Sequence, residues 1–123
     1  MKKPKELRWL EQPSDGNFES AQTYLKLLYG TKKARKYVKE LKEASTSEYL
    51  ARDLLRASGT PISEVQAFDW TKQQREIAAG TPLSPVLLVR RDDGKSVVIA
   101  DGFHRMCAVF QADQDAPVPC KFV

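Results

Sequence analysis

The residues of this chain that can do chemistry converge on one stretch, Ile99-Ala100-Asp101-Gly102-Phe103-His104-Arg105-Met106-Cys107-Ala108, which holds the single histidine of the 123 residues. An apolar run ends in Asp-Gly, and a helical pattern begins at once with His104 and Arg105 in its first turn. The first N–H groups of a helix have no acceptor within it. The helix dipole adds positive potential at the same end, so this arrangement suits an anion. Gly102 allows a ligand to approach the backbone closely, and the N–H of Phe103 belongs to the donor set. His104 can donate a hydrogen bond. Arg105 carries a fork of donors that matches two phosphate oxygens. Asp101 has three roles open to it: helix cap, contact to a phosphate-held metal ion, or general base.

The helical spacing sorts these side chains. Phe103, Met106, Cys107 and Phe110 stand at i, i+3, i+4 and i+7, one apolar face that belongs to the core. His104 and Arg105 fall off that face and project from the helix start. A plainer reading needs no ligand: aspartate before a helix commonly only caps it, and a lone histidine is commonly a surface donor.

The flanking elements are legible to different degrees. Residues 1–16 read as irregular, with Pro4, Pro13 and Ser14-Asp15-Gly16. Phe18, Ala21, Leu25 and Leu28 follow helical spacing, with Asn17 as N-cap and Gly30 as stop. Thr31 caps a second helix with the stripe Ala34, Val38 and Leu41, and the short link predicts a helical pair. Residues 44–58 fit one helix, or a strand near 47–51 followed by a helical turn. A helix is predicted over 69–79, with Asp69 as N-cap. Val86-Leu87-Leu88-Val89 and Val97-Val98-Ile99-Ala100 are continuous apolar runs around an Asp-Gly turn, predicting a hairpin covered on both faces. A last strand spans 118–123, where Pro119 predicts an edge position or late entry into pairing.

Composition bounds the possibilities. A length of 123 residues with 41% apolar and 29% charged side chains fits one globular domain. There is no apolar run long enough to span a membrane and no apolar leader, so a cytoplasmic protein is expected. Two cysteines are too few for a disulfide framework, and with one histidine they do not make a zinc site. No Walker-type loop or nucleophile elbow is present. Trp9 and Trp70 read as packing residues. Residues 1–42 carry 11 Lys/Arg against 5 Asp/Glu, whereas residues 43–123 carry 9 against 11. The basicity therefore sits on the N-terminal helices, where Arg35, Lys36, Lys39 and Lys42 either face solvent or grip nucleic-acid phosphates.

The order strand, Asp101-Gly102-x-His104-Arg105, helix, strand resembles the ParB/sulfiredoxin superfamily, which includes partition proteins, sulfiredoxins and ADP-dependent free serine kinases. Asp69-Trp70-Thr71-Lys72, then a helix and Thr81-Pro82-Leu83-Ser84-Pro85 before a strand, is similar to the sulfiredoxin Asp-x-x-Lys pattern. The ending Ala100 to Ala108 also resembles that of small bacterial proteins with Ala-Asp-Gly-aromatic-His-Arg-x-Cys-Ala. The resemblance covers residues 69–123, and reaches 46 if 47–51 form a strand. It implies a single α/β domain, a small mixed sheet with packed helices over 46–123, carrying an added N-terminal helical pair within 1–45. It also implies phosphate contacts from His104, Arg105 and the N–H groups at Gly102 and Phe103, a nucleotide contact from Lys72, and a kinase-like catalytic role for Asp101. The cofactor would then be ATP or another nucleotide with Mg²⁺.

Departures narrow the chemistry. Sulfiredoxin places its nucleophilic cysteine directly before His-Arg, where this chain has Phe103; a phenyl group cannot attack a phosphoryl ester. Partition proteins carry Gly-Glu-Arg-Arg here and follow it with a DNA-binding domain that 123 residues do not accommodate. The serine kinases need a separate glutamate, for which Glu48 and Glu64 are the candidates. The leading expectation is a protein that binds a nucleotide or phosphorylated small molecule, with phosphoryl transfer or hydrolysis as the enzymatic form. A nucleic-acid-binding module and a non-catalytic interaction domain stand beside it.

Overall fold

The structure, a computed structural model, describes residues 7–67, 69–92 and 94–123. Helix α1 (Asp15–Tyr29) starts three residues before Phe18. Its N-cap is Ser14 rather than Asn17. The Ser14 hydroxyl accepts from the Asn17 N–H and the Asn17 side chain accepts from the Ser14 N–H at 2.8 Å, a reciprocal cap that satisfies two end donors. Gly30, at φ 86°, ends α1 and is the N-cap of α2 (Thr31–Glu43), so Thr31 is the first helical residue and not the cap.

Phe18, Ala21 and Leu25 are buried as expected, but Leu28 is 45% exposed. At 100° per residue Tyr29 returns closer to the line of Phe18 and Leu25 than Leu28 does, and Tyr29 takes the last packed position. The stripe Ala34, Val38 and Leu41 of α2 is buried against it.

Residues 44–58 resolve into a strand followed by a helix. Strand β1 (Thr46–Leu50) leads directly into α3 (Ala51–Ser58), then α4 (Ile62–Ala67), which no sequence signal marked, and α5 (Thr71–Ala78). Strands β2 (Val86–Arg90) and β3 (Val97–Asp101) form the hairpin, α6 (Phe103–Ala112) follows Gly102, and β4 (Pro117–Phe122) closes the chain. The sheet order is β1-β4-β2-β3, antiparallel at β1–β4 and β2–β3 and parallel at β4–β2.

Strand β4 is therefore interior, not at an edge. Proline is tolerated because of where its nitrogen points. The Val123 N–H donates to the Leu88 carbonyl, and Arg90 donates back to Val123. Alternation along β4 turns residues 121 and 119 toward the same side. The paired run of β2 begins at Val86, opposite Cys120, so the Pro119 nitrogen lies ahead of it. The missing donor costs the paired run nothing.

The apolar runs of the hairpin feed two cores. Leu87, Val89, Val98 and Ala100 pack against α1 and α2, while Val86 and Leu88 join Leu54, Leu55, Met106 and Val109 on the other face. The mixed α/β architecture thus has helices on both sides of one sheet, and the N-terminal pair is part of its core. Lys121 ties the pair down. It is only 4% exposed, and its ammonium donates to the carbonyls of Lys42 (3.2 Å) and Ala44 (2.8 Å) at the end of α2. A cation suits that end of a helix, where carbonyls lack intrahelical donors.

Candidate functional site

The turn from β3 into α6 is built on Gly102, which adopts φ 100°. A Cβ at this position would lie 2.7 Å from Arg105 Nη2 and 3.1 Å from a Val86 methyl. Gly102 thus makes room for the protein's own guanidinium. Arg105 folds back against the turn: Nε donates to the Ser84 carbonyl at 3.0 Å, and Nη2 donates to the Pro85 carbonyl at 3.3 Å and to Asp101 Oδ2 at 2.9 Å. Extending the β4–β2 pattern backward, the Ser84 carbonyl is the acceptor that an N–H at position 119 would have met. Arg105 supplies the donor that Pro119 lacks.

Asp101 is consequently held by Arg105 and makes no cap: α6 begins without a side-chain hydrogen bond and without an acidic residue in its first turn. His104 is exposed, and its ring lies 5.7 Å from the Trp70 ring and 5.8 Å from the Phe103 ring. Trp70 is buried and its indole N–H donates to the Val65 carbonyl, so it offers a fixed surface for the imidazole.

A cleft of about 510 Å³ opens beside this turn. Its floor is β3 and the start of α6, from Val97 through His104. One wall is Tyr24 of α1; the opposite wall is Ser58, Thr60 and Glu64; Arg91 of the hairpin stands at one end. The volume falls within the range of small-molecule sites. The residues expected at the site divide accordingly. Asp101, Gly102, Phe103 and His104 line the cleft, whereas Arg105 and Lys72 do not. Lys72 lies exposed on α5. Of the two candidate glutamates, Glu64 lines the cleft, while Glu48 pairs with Pro119 on the β1 edge, outside it. Sequence reasoning missed Arg91, Tyr24, Ser58 and Thr60. Only the placement of Arg91 next to the hairpin turn could have marked it, since the others meet the site through tertiary packing.

Other expected features fall into place around it. Asp69 accepts from the Thr71 N–H and hydroxyl, which holds its carboxyl below the usual range, and helix α5 starts after Trp70. Cys107 is fully buried, and burial pushes its thiol up to about 12; Cys120 is pushed up to about 11 by burial, with Glu48 adding to it. Neither is poised as a nucleophile. Arg35, Lys36, Lys39 and Lys42 of α2 are all exposed, with Lys42 resting over the Phe18 ring.

The chain matches no family model, no curated protein and no solved structure. Among the described residues no helix is long and apolar enough to cross a membrane.

Proposed function

We propose that this protein is a ParB/sulfiredoxin-type α/β domain that binds a nucleotide or another phosphorylated small molecule in the cleft beside β3 and α6. The observation that carries the reading is the cleft itself: about 510 Å³ of open volume meets an uncapped helix start, with His104 beside it and Arg91 at the far end of the floor. Backbone donors at Gly102 and Phe103, the His104 ring and the Arg91 guanidinium form a set that complements phosphate oxygens. Arg105 contributes indirectly, by fixing the turn that presents these donors.

In an enzymatic form the reaction class is phosphoryl transfer or hydrolysis with Mg²⁺ carried by the nucleotide. Asp101 is engaged by Arg105, so the groups in place to move a proton are His104 and Glu64, which share the cleft. Titration with ATP, ADP, GTP and CTP plus Mg²⁺ tests the reading by NMR. His104 ring resonances should shift saturably and lose that response in Arg91→Glu; resonances unchanged at millimolar nucleotide would sink the reading.

A second reading has its own observation, the solvent-facing row Arg35, Lys36 and Lys39 on α2. Nucleic-acid binding there would weaken steeply with salt and vanish on charge reversal of Lys36, Lys39 and Lys42. Binding insensitive to both would exclude it.

A further inference from the structure

Strand β3 ends the sheet, and its outer side is the floor of the cleft. The hydrogen-bond pattern fixes which backbone groups point outward. The Arg91 N–H donates to the Ser96 carbonyl, so residues 91 and 96 are a hydrogen-bonded pair. Two steps along, Val89 and Val98 are the next such pair. The intervening partners, Arg90↔Val97 and Leu88↔Ile99, are not bonded to each other. Arg90 and Leu88 confirm this from the other side, because both spend their backbone groups on Val123 of the neighbouring strand run. The N–H and C=O groups of Val97 and Ile99 therefore point away from β2, into the cleft, and bond to no other described residue.

Two residues spaced i and i+2, each presenting one donor and one acceptor, form the complement of an added β-strand. Such edges are commonly blunted by lysine, proline or a covering element. No lysine or proline interrupts Val97–Asp101, although Val97 itself is only 8% exposed. Tyr24 of α1 and, from the chain after α3, Ser58, Thr60 and Glu64 line the cleft beside this edge. The five residues of β3 extend about 17 Å, enough to pair with a segment of similar length. Charge at the two ends is of one sign: Arg91 stands by Val97, and the uncapped start of α6 lies past Asp101, whose own carboxylate is held by Arg105.

We infer that the cleft accepts an extended segment of a partner protein, added as a fifth strand to the free edge of β3, with acidic groups toward Arg91 and toward the start of α6. The pairing rests on Val97 and Ile99 and does not depend on the phosphate reading, which is tested separately at His104 with nucleotides.

A random heptapeptide library displayed on phage and panned against the full chain supplies the probe. Selected peptides, synthesised, should protect the Val97 and Ile99 amides from hydrogen exchange and give cross-strand NOEs to both. N-methylation at alternate peptide positions should weaken binding about three- to tenfold for each lost hydrogen bond in one register and leave it unchanged in the other. Failure to select any peptide, selected peptides that leave the Val97 and Ile99 amides unperturbed, or affinity indifferent to N-methylation in both registers would each overturn the inference.

Discussion

Arg105 Nη2 lies 2.9 Å from Asp101 Oδ2, across the turn that joins β3 to α6. The pair is partly buried, and the same guanidinium also reaches the carbonyls of Ser84 and Pro85. The first turn of α6, the end of β3 and the approach to β2 are thereby bound at one point. Gly102 sits inside that knot, which makes it the sharpest test of the arrangement.

Gly102→Ala should destabilise the fold by at least about 1–2 kcal/mol from the left-handed backbone alone. Displacing the guanidinium, 2.7 Å from the new methyl, adds to that. Urea unfolding measures the loss, and a variant as stable as the wild type would show that Arg105 does not occupy this position.

Arg105→Lys separates a positioning role from a ligand-binding one. A lysine keeps the charge but has no planar fork to serve Ser84, Pro85 and Asp101 together. Stability should fall by about 1–3 kcal/mol, while the His104 response to nucleotide survives in the folded fraction. Unchanged stability with lost binding would return Arg105 to the ligand site.

Lys121→Met tests the attachment of the helical pair. The variant keeps the stem and removes the ammonium that serves Lys42 and Ala44. The expected cost is about 1.5–3 kcal/mol, with faster amide exchange concentrated at the end of α2. Uniform exchange across the molecule would mean that Lys121 supports the whole sheet and not this helix end.

The elements that bury one stripe were legible in the sequence, because periodicity reports burial directly. The stripe of α2 falls in this class, as do Met106 and Cys107 of α6, whose Phe103 and Phe110 are only half-buried; the hairpin was legible instead as two continuous apolar runs covered on both faces, and the motif at residues 101–104 led to the cleft. What periodicity could not report was competition for the same groups. Arg105 looked like a phosphate clamp because nothing in the sequence says that Pro119, 14 residues away, leaves a carbonyl at Ser84 for it to satisfy. Lys121 alternates with the apolar Val118, Cys120 and Phe122 in the last strand, and no local pattern says that the end of α2, some 80 residues earlier, covers it. The cleft walls at Tyr24 and Glu64 likewise come from helices that no local pattern relates to β3.

The buried thiols give the fold a pH dependence on the alkaline side. An ordinary cysteine in the unfolded chain ionises near about 8.5, whereas Cys107 and Cys120 are raised to about 12 and about 11 in the folded protein. Below about 8.5 both states hold the proton and the thiols add no pH dependence. Above it the unfolded state loses protons that the folded state keeps, so stability falls as pH rises, until the folded thiols ionise as well. Each thiol should contribute a slope of about 1.4 kcal/mol per pH unit within its window. Urea unfolding between pH 8 and 10 measures the slope, and Cys107→Ala and Cys120→Ala should each reduce it whatever they do to stability at pH 7. A slope that survives both substitutions would assign the effect to other groups. Rapid labelling of Cys107 in the native state would contradict its burial outright.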